Sequence, residues 1–191
     1  QMISKKILGL FNKGLKKQYS LQDVVNYSGA KREVVKVILS RLSTQKKIVK
    51  LGHGFYGQSL PGIDIEQLAC QIIYPSYISF ESALHLYGIL DQIPAAITLA
   101  TAKKTKTMIL AERAVEYSHL KQALFFGYRT ADHITLAVPE KALLDELYLV
   151  GLKKRSINIR ELDISKLNKG KIRQWLRLYP PSTRREYEKI S

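Results

Sequence analysis

Cysteine is almost absent from this chain: Cys70 is the only one among 191 residues. A single thiol excludes any disulfide within the chain and argues against a structural zinc site, which draws on several cysteines or histidines. Cys70 lies in an apolar stretch and reads as a small core residue. No apolar run approaches the roughly 20 residues that cross a bilayer. No charged n-region followed by an apolar h-region opens the chain. With the lone thiol, these absences predict a cytoplasmic protein without a membrane partner.

Catalytic signatures are missing as well. There is no GxxxxGK[ST] loop, no GxGxxG after a strand and no GxSxG elbow. The four histidines, His53, His85, His119 and His133, are scattered. A restriction-type nuclease needs acids on and before a strand, with a lysine two positions after the second acid. The best-placed strand here ends Ala100-Thr101-Ala102-Lys103, so threonine stands where the metal-binding acid would be. Glu140, Asp145 and Glu146 share a helix, but the helix dipole accounts for Glu140 and solvation for the other two. No catalytic residue, metal or cofactor is therefore assigned.

Acids are scarce at both ends. Residues 1–60 hold 12 Lys/Arg against 2 Asp/Glu, residues 61–150 hold 7 against 10, and residues 151–191 hold 12 against 4. The net charge of +15 thus sits at the two ends and skips the middle. Such a distribution points to polyanion-facing surfaces. An anionic membrane would attract the same charge, but no long basic amphipathic helix with a Trp/Phe/Leu face stands out.

What is present is organised around Tyr19 to Gly57. Ile3, Ile7, Leu8 and Phe11 predict a first helix over about residues 3–13, on which the next two pack. Ser20 is an N-cap with Asp23 in the capping-box position, followed by a short helix with Leu21, Val24 and Val25 on one face. Ser28-Gly29 breaks it. A longer helix starts near Lys31 and buries Val35, Ile38, Leu39 and Leu42. Its other face shows Lys31, Arg32, Lys36, Ser40 and Arg41. Lys47 to Leu51 alternates as a strand, Gly52-His53-Gly54 turns, and Phe55-Tyr56 returns. Two helices across a tight turn plus a hairpin predict a winged helix-turn-helix, with the second helix in the major groove of double-stranded DNA. Lys46, Lys47, Lys50 and His53 surround the hairpin and suit the flanking backbone.

Ser59-Leu60-Pro61-Gly62 marks the boundary between a DNA-binding domain, residues 1–60, and a second domain, residues 61–191. In its core, residues 61–150, a helix over about 65–73 stops before Pro75, and Ser79 caps a helix from Phe80 to Tyr87. AAITLATA and KTMIL read as paired strands across Lys103-Lys104-Thr105. Ala114 to Tyr117, Leu124 to Tyr128 and His133 to Ala137 are further extended candidates. Pro139 opens a helix that buries Leu143, Leu144, Leu147 and Tyr148. Tyr77, Tyr87, Phe125, Phe126 and Tyr128 suit either a base-stacking platform or, since they alternate with apolar positions, the core. The basic tail, residues 151–191, carries a helix around Ile172, Trp175, Leu176 and Tyr179, whose polar face shows Lys169, Lys171, Arg173 and Arg177. A last Arg-rich segment reads as a loosely attached helix. The expected fold is α+β: a winged helix-turn-helix, then an α/β domain with a small, mostly antiparallel mixed sheet and a basic helical tail.

YSLQDVVNYSGAKREVVKVILSRL, GHGFY, YPSYISFESALHLYGILDQIPAAITLATAKKTKT, LFFGY and VPEKALLDELYL, in that order from about Tyr19 to Leu149, resemble the AbiEi antitoxin family, also described as transcriptional regulators of viral defence systems. The resemblance implies a repressor that binds inverted repeats in its own promoter through Lys31, Arg32, Lys36, Ser40 and Arg41, with Lys50 and His53 in the wing. It further implies a type IV toxin–antitoxin system, in which the second domain neutralises a nucleotidyltransferase toxin that need not be touched. Lys103, Lys104 and Lys106 fall in the family's basic β-turn region. With Lys169, Lys171, Arg173 and Arg177 they are candidates for a second basic surface. Two alternatives stand beside this reading: a nucleic-acid-processing enzyme, and a winged-helix regulator whose second domain senses a ligand or a protein.

Overall fold

The computed structural model describes residues 2–191, apart from the side chain of residue 159. Among the described residues the chain is α+β, with eight α-helices and two sheets. It divides into two compact units. The first runs to Ile65 and takes in Ile109–Arg113; the second holds Glu66–Met108 and Ala114–Ser191.

In the first unit, α1 (Met2–Asn12) is followed by β1 (Gln18–Ser20), α2 (Leu21–Ser28), α3 (Arg32–Thr44), β2 (Val49–Gly52) and β3 (Phe55–Gly57). The capping box forms as the residues dictate: Asp23 N–H donates to Ser20 Oγ at 3.1 Å, and Ser20 N–H donates to Asp23 Oδ2 at 2.8 Å. Gly29 ends α2 at φ 71°, a left-handed conformation that a side chain would strain. Ile7, Leu10 and Phe11 of α1, Leu21 and Val24 of α2, and Val35, Leu39 and Leu42 of α3 bury together with Tyr19, Ile48 and Tyr56. Each such aliphatic side chain contributes about 1.5–3 kcal/mol. The three helices thus close on one core, as the first helix's role as a floor required.

Two local features differ from expectation. The strand expected from Lys47 begins at Val49, because Lys47 N–H still donates to Leu42 O and Lys46 turns at φ 56°. A third strand, β1, pairs antiparallel with β3, which also pairs antiparallel with β2. Three residues are too few to show alternation, and β1 exists through its pairing of Tyr19 with Tyr56.

From Ile65 on, the chain carries α4 (Ile65–Ile72), β4 (Ser76–Ile78), α5 (Phe80–Leu86), β5 (Ile97–Thr101), β6 (Lys106–Leu110), β7 (Arg113–His119), β8 (Tyr128–Ala131), β9 (Ile134–Ala137), α6 (Pro139–Gly151), α7 (Lys169–Leu176) and α8 (Pro181–Glu188). The sheet order is β6-β7-β5-β4-β9-β8. β5 and β6 are not partners, so residues 103–105 are a crossover and not a hairpin turn. Every residue of β5 is buried, as befits a strand with neighbours on both sides, whereas β6 alternates like an edge. β4 joins β5 antiparallel, and β7 joins it parallel. β9 lies parallel to β4 and antiparallel to β8, so the sheet is mixed, with parallel pairings at β5–β7 and β4–β9.

Leu124 to Tyr128 is not a strand. A short 3-10 turn covers Gln122–Leu124, Gly127 sits at φ 73°, and the adjacent rings diverge, Phe125 to Tyr77 and Phe126 to Trp175. The expected aromatic platform is split: Tyr77 is fully buried, Tyr87, Phe125 and Phe126 are half-buried, and Tyr128, stacked on Tyr77 at 4.6 Å, is exposed. α6 is buried continuously from Glu140 to Leu149, far beyond the expected stripe. The Arg-rich α8 is not loose. It packs on α6 and buries Thr183 and Tyr187, and a Cβ at Gly151 would lie 3.0 Å from the Ser182 carbonyl carbon. No helix among the described residues is long and apolar enough to cross a membrane.

Candidate nucleic-acid interface

α3 is a two-sided helix. Val35, Leu39 and Leu42 face the core, and Lys31, Arg32, Lys36, Ser40 and Arg41 are all exposed. At 3.6 residues per turn, Lys36 and Ser40 lie on one flank of the helix, about 95° and 135° from the core stripe, while Arg41 lies about 140° round the axis from Lys36, on the other flank. The five positions therefore do not form one patch. Arg41 lines an open groove of about 910 Å³ with Ile3, Lys5 and Leu8 of α1 and with Val34 and Val37. Val34 and Val37 are 43% and 59% exposed, which gives that groove a partly apolar floor.

Arg32 is held in place. Its Nη1 donates to Gln22 Oε1 at 3.0 Å, and Gln22 Nε2 donates to Asn26 Oδ1 at 2.8 Å. Gln22 and Asn26 were not read as site residues, although their i, i+4 spacing on the open side of α2 is the pattern of a paired surface. Lys36 pairs with Glu33 at 3.0 Å, an exposed contact that a phosphate can replace at little cost.

Lys46, Lys47, Lys50 and His53 are likewise exposed. Lys46 and Lys47 stand at the end of α3 and Lys50 on β2. His53 turns the hairpin at φ 46° between Gly52 and Gly54, and Gly54 O accepts from Leu21 N–H at 2.7 Å, which ties the tip to the start of α2.

The second unit places the other basic residues in two separate segments. Lys103 and Lys104 lie in the β5–β6 connection and Lys106 opens β6, all exposed. On α7 and its cap, Lys169, Arg173 and Arg177 are exposed, but Lys171 is committed elsewhere. Its Nζ donates to Glu140 Oε2 at 2.9 Å and lies 4.6 Å from the centre of the Trp175 ring. Burial alone would raise the Glu140 carboxyl, yet the Lys171 ammonium and backbone N–H donors outweigh it and hold the carboxyl below its ordinary range.

The charges of α6 overturn the expectation of a solvated pair. Asp145 is fully buried and accepts hydrogen bonds from Tyr77 Oη at 2.9 Å, Ser79 Oγ at 2.8 Å, Tyr179 Oη at 3.1 Å and the Lys141 ammonium. Ser79 holds the N-cap position of α5, but its hydroxyl serves Asp145 and caps nothing. Lys141 also donates to Tyr179 Oη at 2.8 Å. Burial pulls the Lys141 ammonium pKa down, and Asp145 opposes that. Burial and Asp145 together push Tyr77 and Tyr179 well above the ordinary phenol range. Every member of this group lies inside the protein, so its chemistry is that of a polar core. Glu146, equally buried, is pushed up to about 7 by burial, against the pull of Arg155 at 3.6 Å. Arg155 also reaches Glu116 at 3.1 Å and Glu81 at 3.7 Å. Among the described residues, no three His, Cys, Asp or Glu side chains group as a metal site would.

This chain is similar in fold to the crystal structure of the RV2827C protein from Mycobacterium tuberculosis. The TM-score is 0.66 at 14% identity, over 100% of this chain and 76% of that one. At that identity the likeness concerns the fold alone. No family model and no curated protein matches the chain in sequence.

Proposed function

We propose that the chain is a sequence-specific, DNA-binding transcriptional repressor. Its first unit acts as a winged helix-turn-helix, with α3 in the major groove of an inverted-repeat operator and the β2–β3 hairpin as the wing. The observation that carries this reading is the open side of α3. Lys36 and Ser40 are solvent-facing on one flank of the helix, and Arg32 is braced from α2 at the helix's leading end. Phosphates take up Lys46, Lys47, Lys50 and His53, and base edges fall to Arg32, Lys36 and Ser40.

The reading extends, on the motifs from Tyr19 to Leu149, to an autoregulating antitoxin of the AbiEi kind, acting in the cytoplasm against a nucleotidyltransferase toxin without having to touch it. Titration of labelled DNA from the protein's own upstream region tests the DNA-binding core of this proposal. With six or more phosphates engaged, affinity drops about a thousandfold between 50 and 200 mM salt. A flat salt response overturns it. A second reading, a regulator that binds protein, is favoured by the groove between α1 and α3. It predicts that Val37→Ser alters partner binding while DNA affinity holds.

A further inference from the structure

We infer that the carboxyl edge of the β5–β7 pair, in the second unit, binds single-stranded nucleic acid. β5 and β7 run parallel, with Thr101 opposite His119, so both deliver their following residues to the same edge. Ligands of open sheets gather beyond such carboxyl ends. β4 starts at this edge too, since Ser76 pairs with Thr101. Three segments, residues 74–76, 101–106 and 119–121, therefore meet there.

Their backbones are cross-linked. Thr101 Oγ1 donates to Pro75 O at 2.9 Å, and Leu120 N–H donates to Thr101 O at 2.9 Å. His119 N–H donates to Thr105 Oγ1 at 3.1 Å, and its Nδ1 donates to Lys103 O at 2.9 Å. On this braced edge stand Lys103, Lys104, Lys106, His119 and Lys121, all exposed, and Tyr74, which is 82% exposed. The three segments contain no acid. None of the four lysines joins an ion pair among the described residues.

Four ammonium groups without counter-charges suit a run of phosphates. A phenol ring so far out of the core offers a face on which a base can stack. A duplex keeps its bases stacked on one another and can use only the lysines; a single strand uses both features. With Nδ1–H donating to a carbonyl, the neutral His119 ring leaves Nε2 as an acceptor for a base or sugar donor. The assignment does not depend on DNA binding by α3.

The test is fluorescence anisotropy with the full chain and labelled oligo(U), oligo(dT) and a mixed-sequence duplex, each of about 12 units, a length within the usual footprint. Tyr74→Ala weakens both single strands about tenfold and leaves the duplex unchanged, while Tyr74→Phe restores them. Replacing Lys103, Lys104 and Lys106 together by Gln lowers the single-strand salt slope by about 2. Whichever of oligo(U) and oligo(dT) binds tighter names the source as RNA or DNA. Failure of either single strand to bind, or equal affinities for wild type and Tyr74→Ala, overturns the site. So does an equal loss for the duplex, since stacking would then play no part. Should the triple-lysine variant melt early by circular dichroism, the Tyr74 pair decides alone.

Discussion

α3 and α6 are both 13 residues long and carry four charged side chains each, yet they use them in opposite ways. On α3, Arg32, Glu33, Lys36 and Arg41 are exposed, and three apolar residues anchor the helix. On α6, Glu140, Lys141, Asp145 and Glu146 are all buried. The difference lies in what surrounds each helix. α3 has a core on one side only, whereas α5, α7 and α8 pack around α6. Charge on a helix reports a surface only when nothing else arrives to cover it.

Removing a buried partner separates the two helices most sharply. Lys141→Met leaves Asp145 without its cation and destabilises the chain by about 3–5 kcal/mol in denaturant unfolding. The double variant Lys141→Met/Asp145→Leu recovers part of that loss, because neither charge is then stranded. A Lys141→Met cost below 1 kcal/mol would place the pair in solvent after all.

Glu146 supplies a pH test of the same contrast. Its carboxyl, pushed up to about 7, keeps its proton in the folded chain while the unfolded chain, near 4.5, has released it. The folded state therefore binds more protons between these values, and stability falls as pH rises through them, by about 3 kcal/mol in all. Glu146→Gln removes this slope, read as the difference from wild type in unfolding free energy at pH 5 and pH 8. Parallel curves for the two proteins would contradict the burial of Glu146.

Smaller effects are expected on the open helix. Arg32→Ala costs about 1–3 kcal/mol of discrimination between operator sequences, whereas Lys50→Ala weakens all DNA alike. Wild-type titrations for both variants would remove α3 from the interface. Smallest is Ser20→Ala, which loses the cap of α2 and about 1 kcal/mol of stability, measured by thermal melting.

The first unit was legible because its signals are local. Ser20 and Asp23 are three residues apart, Gly29 follows its helix directly, and Val35, Leu39 and Leu42 mark one stripe. What stayed hidden depends on distant partners. Tyr77 reaches Asp145 across 68 residues and Ser79 across 66. No window of sequence around α6 contains them, so its acids read as solvated. Strand order failed for a related reason: β5 needs two neighbours, and β7, which takes the place expected of β6, comes later in the chain. The exposure of the α3 residues was foreseeable from their spacing. The separation of Arg41 from Lys36 follows from the same spacing, five residues at about 100° each, but the groove that Arg41 lines needs α1 for its other wall.

Tyr179 and Tyr187, near the far end of the second unit, complete the packing around α6. The core cluster of the first unit is finished by Tyr56. During synthesis the first unit can assemble its core while later residues are still being joined. The second must wait, with Lys141 and Asp145 in water, until α8 has cleared the ribosome. A growing chain would thus seat α3 on its core well before its other half has set.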